Sequence, residues 1–419
     1  MRGADLIHAG IDGLESLQTP YGFNASDVET GHYAALYGRD SLWVVLLLCE
    51  SAELSSDPRL RALLEVSGPR VLAALAELQG STTDDSVEEQ PGRIPHEYHR
   101  VPSPHATAMG LPLAGGRSYG GFDETFLFVL AYDAFVRAFP AHAIAEQLWP
   151  HVRRALRWID DYADPDGDGL YEYARRHPEN LLNQVWKDSW DAATHTGFDV
   201  PAQPLAWLEV QAYGYAVLSS ATASRDRALA GASDDCAERA RVLAEKTDER
   251  YWLGPEHGYA MALDGRKQPV RMVASNPGHA LWARIVKSER ADPLIARMLK
   301  PDLMTPYGLR TLSRDSPFYA PFAYHRGAVW PFDNAVFALG LAKYGRERDA
   351  LRVADALTEA MSQLGSPIES YAVLDAKDFV SPDITGPQLC WRHWPPQNRV
   401  QAFSAAALVV FGVLQSVMT

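Results

Sequence analysis

"TFLFVLAYDAFV" (125–136) and "HAIAEQLWPHVRRALRWIDDYA" (142–163) are near neighbours in the chain and opposite in character. In the second, Ile144, Leu148, Val152, Leu156 and Ile159 recur at helical spacing with arginine and glutamate between them. That spacing predicts an amphipathic helix with one face in water. The first stretch is apolar nearly all round, and a helix without a polar face has to be surrounded by protein on every side. The pairing repeats along the chain. "SLWVVLLLCESA" (41–52), "AVFALGLAKYG" (335–345) and "SAAALVVFGVLQ" (404–415) read as inner helices, while "DDCAERARVLAEKTDERYWL" (234–253) and "ERDALRVADALTEAMSQL" (347–364) read as outer ones.

About twelve helices are expected, beginning near residues 4, 40, 58, 124, 142, 205, 228, 277, 290, 328, 346 and 400. Odd members are amphipathic and even members mostly apolar, which predicts an all-α fold, an (α/α)6 toroid, over 1–419 as one domain. One interruption stands out. "GYAMALDGRKQPVRMV" (258–273) carries Asp264-Gly265, the signature of a small inserted β-hairpin.

Composition narrows the function. A net charge of -14 opposes nucleic acid as the main partner, because a phosphate-binding face has to be basic. No apolar stretch is long enough to span a membrane, and the N-terminus lacks the apolar core of a secretory signal. Cys49, Cys236 and Cys390 are far apart and make neither a disulfide framework nor a metal pair. A cytoplasmic protein is expected, and nothing in the sequence speaks to its oligomeric state.

Six unusual polar segments open the even helices: "YGRDS" (37–41), "YGGFDE" (119–124), "WLEVQAY" (207–213), "SNPGH" (275–279), "YHRGAVWPFDN" (324–334) and "NRVQAF" (398–403). Parallel inner helices would place all six at one end of the toroid, around one pocket. Capping accounts for one Asp or Asn at each start, but not for the Tyr, Trp, Arg and His beside it. The expected pocket holds the carboxylates Asp40, Asp123, Asp188, Asp191, Glu209 and Glu369, with Glu97 close by. Its aromatics are Tyr37, Trp43, Tyr119, Trp186, Tyr324 and Trp330, and Arg39, Arg326, Lys187, His96, His279 and His325 join them. Gln184, Gln211, Asn276 and Gln401 complete the set. Aromatic faces stack on pyranose rings, charged groups bind hydroxyl pairs, and two carboxyls can share acid and base duties. A carbohydrate is therefore the expected ligand.

"GRDS", "PGRIPHE", "DPDGDGLYEY", "NQVWKDSWDA", "EVQAY", "SNPGHALW", "GLRTLS", "YHRGAVWPFDNA" and "QAF" occur in the same order as in bacterial amylo-α-1,6-glucosidases of the glycogen-debranching type, which this chain resembles from about residue 21 onward. The resemblance implies an (α/α)6 barrel and an inverting glycosidase acting on an α-glucoside. It implies Asp188 as general acid and, from the context "GSPIESY" (365–371), Glu369 as general base. Lone barrels of this size in the same clan include hydrolases of mannosylglycerate and glucosylglycerate, so a compact substrate stands beside a branched glucan. The segment 371–396 departs from the debranching pattern.

Two further expectations concern charge. Lys187 should point away from Asp188, and Asp40 should be an ionised hydroxyl acceptor held by Arg39. No cofactor is implied. "DPDGDGLYEY" opens like a calcium loop with Asp164, Asp166 and Asp168, but Arg175 stands where the closing glutamate belongs, so a turn is the main reading and structural calcium the lesser one. An epimerase or lyase using His96, His325 or His393, and a non-catalytic sugar-binding protein, are the alternative functions.

Overall fold

The computed structural model describes residues 3–27, 33–101, 110–195, 199–223, 235–374 and 398–418, together with the backbone of a strand at 388–390. Among these residues lie twelve α-helices: α1 (Ala4–Ser16), α2 (Gly38–Leu54), α3 (Pro58–Glu77), α4 (Glu124–Ala138), α5 (Ile144–Tyr162), α6 (Leu208–Ala223), α7 (Cys236–Tyr251), α8 (Pro277–Ala283), α9 (Ser288–Met298), α10 (Pro331–Lys343), α11 (Glu347–Leu364) and α12 (Ala402–Val417). The even helices form a closed ring. α2 packs on α4, α4 on α6, α6 on α8, α8 on α10, α10 on α12, and α12 returns to α2. Outside them α1 lies on α12, α3 on α2, α5 on α4, α7 on α6 and α11 on α10. This is the (α/α)6 toroid that the alternation of helix types predicts.

Burial follows the sequence pattern. Every residue of α4 from Glu124 to Val136 is buried, whereas α5 buries Ile144, Leu148, Val152, Ala155, Trp158 and Ile159 and leaves its charged face in water. Helix α3 starts at Pro58 after Asp57, whose carboxylate accepts the amides of Arg59 and Leu60 at 2.9 and 3.0 Å. Helix α7 is described from Cys236, and the start expected near 228 lies in residues 224–234, outside the described set. The remaining starts fall within a few residues of expectation.

Short antiparallel ribbons bridge the helices at the pocket end. Leu36–Tyr37, Glu97–Tyr98 and Arg117–Ser118 make one three-stranded sheet ahead of α2 and α4. The expected hairpin is present, with Ala262 opposite Val270 and Leu263 opposite Pro269, and Ala206–Trp207 joins it as a third strand ahead of α6. At the start of α2 the fit is close. A Cβ on Gly38 would stand 2.2 Å from the Pro95 carbonyl oxygen, so only glycine lets the "GRDS" turn press against the ribbon and set the direction of Arg39. Among the described residues, no helix is long and apolar enough to cross a membrane.

Candidate active site

The inner-helix N-termini are tied to one another by side chains from the segments the sequence marks as unusual. Gln401, preceding α12, donates its amide to Asp40 on α2 at 2.9 Å. Arg39 on α2 reaches across to Asp123, before α4, with both oxygens within 3.0 Å of Nε, and to Glu124 at 3.1 Å. Asn276 at the start of α8 donates to both oxygens of Glu209 on α6, at 3.0 and 2.9 Å. His279 on α8 meets Asp333 on α10 at 3.1 Å and the Tyr213 hydroxyl at 2.7 Å. Polar helix starts thus serve as staples that fix the ring at its open end.

Asp188 stands on this base. It lies on the loop ahead of α6, its carboxylate 3.2 Å from Nη1 of Arg39, with 28% of the side chain exposed. Burial pushes its pKa above the ordinary value, and the Arg39 charge opposes that shift. Beneath, burial raises the pKa of Asp123 against the pull of Arg39. Burial also works against the charge of Glu124, but Arg39 and His96 outweigh it and hold that carboxyl below its ordinary value. His96 donates through Nδ1 to the Glu124 carboxylate at 2.8 Å, which raises the histidine's pKa despite its burial.

Glu369 is only 2% exposed and has different company. One oxygen accepts the Tyr324 hydroxyl, and the other accepts the Asn398 side-chain amide at 2.9 Å and its backbone amide at 3.2 Å. Burial lifts Glu369 to about 7, and these donors only partly offset it. Asp40, half-buried and close enough to Glu369 to raise its pKa, is itself pushed up to about 6 by desolvation. Tyr324, bonded to Glu369, packs on His325, which meets Ser189 next to Asp188, so the two carboxyls border a common space, with Tyr33 nearby and edge-on to Tyr37.

The expected residues sort into those at that space and those behind it. Asp40, Asp188 and Tyr324 are partly open, and Glu369, Arg39, His96, His325, Trp330 and Gln401 adjoin them. Tyr37 packs edge-on against His96 and His99, and Glu97 is held ionised by His99 at 2.7 Å. Trp186 is 4% exposed and enclosed by His279, His325, Trp330 and Phe332, so it is a wall from behind. Trp43 is fully buried between Tyr213, His279, Trp282 and Phe332. Tyr119 donates to the Leu78 carbonyl, Gln184 accepts from Arg93, and Gln211 brackets Tyr171 through its amide and carbonyl.

Two charge expectations change. Arg39 pairs with Asp123, Glu124 and Asp188 rather than with Asp40, because the helical turn turns the adjacent carboxylate toward Gln401 instead. Lys187 does turn from Asp188, but into the protein. It donates to Asn276 and to the Thr311 carbonyl at 2.8 Å each, and burial brings it down to about 8. Asp191 is taken by Arg326 at 2.6 Å. Three contributors escaped the sequence reading. Glu124 sits beside Asp123 in a segment that already pointed to the pocket. Tyr33 carries no motif of its own and enters only through the fold, while Asn398 opens "NRVQAF" (398–403), a segment that pointed to the pocket without singling it out. His393 and most of 371–396 lie outside the described residues.

Among the described residues, Asp164, Asp166 and Asp168 are the group whose ligand atoms converge as a metal would require. Lys267, from the inserted hairpin, places its ammonium there, 3.1 Å from Asp166, 3.0 Å from Asp168 and 2.5 Å from Glu172.

The chain is a toroid of paired helices with carboxylates gathered at the inner N-termini, and the family model it matches makes it a glycoside hydrolase domain. Residues 86–372 match the mannosylglycerate hydrolase MGH1-like glycoside hydrolase domain, and the chain belongs to that family. Its fold is similar to that of the mannosylglycerate hydrolase of Thermus thermophilus bound to Tris and D-glycerate, with a TM-score of 0.68 at 16% identity over 97% of this chain and 99% of that one. The same enzyme with glucose superposes at a TM-score of 0.66 and 16% identity over the same shares. A protein described as a wild-type glycosidase follows at a TM-score of 0.59 and 11% identity, over 99% of this chain and 96% of that one. At such identities these likenesses speak for the fold. No curated protein matches the sequence.

Proposed function

We propose that the protein is an inverting hydrolase of α-glycosides, with Asp188 as general acid and Glu369 as general base. The observation that carries this is the contrast between the two carboxyls. Asp188 is the partly exposed one, where a leaving oxygen could reach it. Glu369 is shielded from bulk water and oriented through both oxygens. An acid needs a raised pKa and access to the scissile oxygen, while a base needs a fixed direction toward one water. Hydrolysis would transfer the Asp188 proton to the leaving oxygen while Glu369 takes a proton from the attacking water. The anomeric carbon inverts, and the two carboxyls exchange protons with solvent before the next cycle.

The match to a glycoside hydrolase domain favours hydrolysis over the paired-histidine chemistry of an epimerase. The α-1,6-glucosidic bond of the debranching type stays within this reading as one substrate class. The buried free thiols of Cys49 and Cys236 favour a reducing, cytoplasmic setting.

Asp188→Asn and Glu369→Gln should each lower kcat by about 10²–10⁴-fold. The two variants separate when the substrate is an α-glycosyl fluoride, whose leaving group needs little protonation. Asp188→Asn then recovers much of its rate and Glu369→Gln does not. Proton NMR of the first product should show the β-anomer. Wild-type rates in either variant, or an α-anomer, would sink the assignment. Because the base acts ionised, kcat/KM should fall as pH drops below about 7.

A further inference from the structure

The loop that carries Asp188 has a second tryptophan, and exposure separates the two sharply. Trp186 is buried, whereas Trp190 is 72% exposed, the most exposed of the aromatic side chains in the described protein. Trp190 and Asp191 are the middle residues of a turn closed by the Ala192 amide, which donates to the Ser189 carbonyl at 3.0 Å. The turn is braced on both sides. Asn183 donates to the same carbonyl at 2.7 Å, and the Ser189 amide donates to Nδ1 of His325 at 3.3 Å. Arg326 holds Asp191 through Nε at 2.8 Å and Nη2 at 2.6 Å, and donates through Nη1 to the Phe318 carbonyl at 2.6 Å. Phe322, 43% exposed, lies on the loop that carries Arg326.

A rigid turn therefore presents an indole to water two residues beyond the acid. Large aromatic surface held in water is unfavourable until something apolar covers it, and a pyranose ring has a C–H face that stacks on an indole. The acid protonates the leaving oxygen, so a ring beside it serves the leaving group. Charge points the same way. A carboxylate leaving group would need a cation in excess. Among the described residues near the acid, Arg39 faces Asp123, Glu124 and Asp188, Arg326 faces Asp191, and Lys187 is fully buried against Asn276 and the Thr311 carbonyl, out of reach of a leaving group.

From the exposed, braced indole we infer that Trp190 is the stacking platform of the leaving-group subsite, and that the leaving group is a neutral pyranose. The substrates are then glycosyl-sugars, disaccharides or longer, rather than glycosides of a small acid. This rests on Asp188 as the acid. The test compares Trp190→Ala and Trp190→Phe with wild type on isomaltose, maltose, glucosylglycerate and α-glucosyl fluoride. Trp190→Ala should lower kcat/KM on the disaccharide that wild type hydrolyses by about 10-fold or more, chiefly through KM. Trp190→Phe should retain most of it, and the loss on the fluoride should be far smaller. Equal losses on both substrates, no loss on the disaccharide, or a wild-type preference for glucosylglycerate would overturn the inference.

If Asp188→Asn hydrolyses like wild type, the acid assignment falls on its own, and the platform is judged by binding. Tryptophan fluorescence titrated with the same disaccharides should then saturate in wild type and lose that response in Trp190→Ala. An unchanged or absent response overturns it.

Discussion

The two sides of the pocket hold their carboxylates by different chemistry. Asp188 rests on a charge, the Arg39 guanidinium, which is itself shared with Asp123 and Glu124 below. Glu369 rests on neutral donors, a tyrosine hydroxyl and an asparagine amide. A charged partner favours ionisation strongly and is costly to remove; a neutral donor orients the carboxylate and favours its charge only modestly. On the Asp188 side the positive charge sits in a network that the fold also depends on. On the Glu369 side the contacts concern direction more than stability.

The most severe way to break this contrast is Arg39→Leu. It would leave Asp123 and Glu124 buried without their cation, and breaking a buried pair from one side costs about 3–5 kcal/mol. Thermal unfolding should show a large drop in Tm. An unchanged Tm would mean that the carboxylates take up protons or water without penalty.

Glu369→Gln should act in the opposite sense. The folded-state pKa of Glu369 is about 7 against an ordinary 4.5, so the folded protein binds the proton more tightly than the unfolded chain. The associated stability is fully present below about 4.5 and is lost as pH rises through about 7. The inactive variant should accordingly be more stable than wild type at pH 8, on the order of 2 kcal/mol, with the gap closing toward pH 5. Denaturant titrations at the two pH values check this, and a gap independent of pH would refute it.

Smaller still is the effect of Tyr324→Phe, which removes one neutral donor and keeps the ring against His325 and Trp330. Because the hydroxyl favours the ionised glutamate, the acid limb of kcat/KM should move to higher pH and kcat should fall about 10-fold, with KM little changed. A raised KM with an unmoved limb would make Tyr324 a substrate contact instead.

How much of this was legible beforehand follows the same physical division. Apolar periodicity fixes which helices are inner, as "TFLFVLAYDAFV" shows, and the unusual helix starts mark the open end of the barrel. Composition also identifies the aromatic and acidic residues gathered there. What it does not resolve is direction. Arg39 and Asp40 are adjacent in sequence, yet one side chain reaches α4 and the other Gln401. Trp186 and Trp190 belong to one short segment and end at 4% and 72% exposure. Tyr33 comes to the site because parts of the chain far apart in sequence converge, which no local pattern encodes, and the pairing of Asn398 with Glu369 is equally non-local although its segment was marked.

Lys267 extends the comparison to the surface, where a charged partner should matter least. Its side chain is 19% exposed, and the ammonium faces Asp166, Asp168 and Glu172, tying the inserted hairpin to the turn after α5. Solvent screens its contacts with Asp166 and Asp168 but not the one with buried Glu172, so Lys267→Met should cost about 2 kcal/mol, less than Arg39→Leu, and the difference should narrow at 1 M salt. With a lysine as the resident cation, a chelator should leave the wild-type Tm unchanged. A fall in Tm on chelation would show instead that a metal ion shares the three aspartates. If Lys267→Met proved as damaging as Arg39→Leu, exposure would not be what separates a costly buried charge from a cheap one in this barrel.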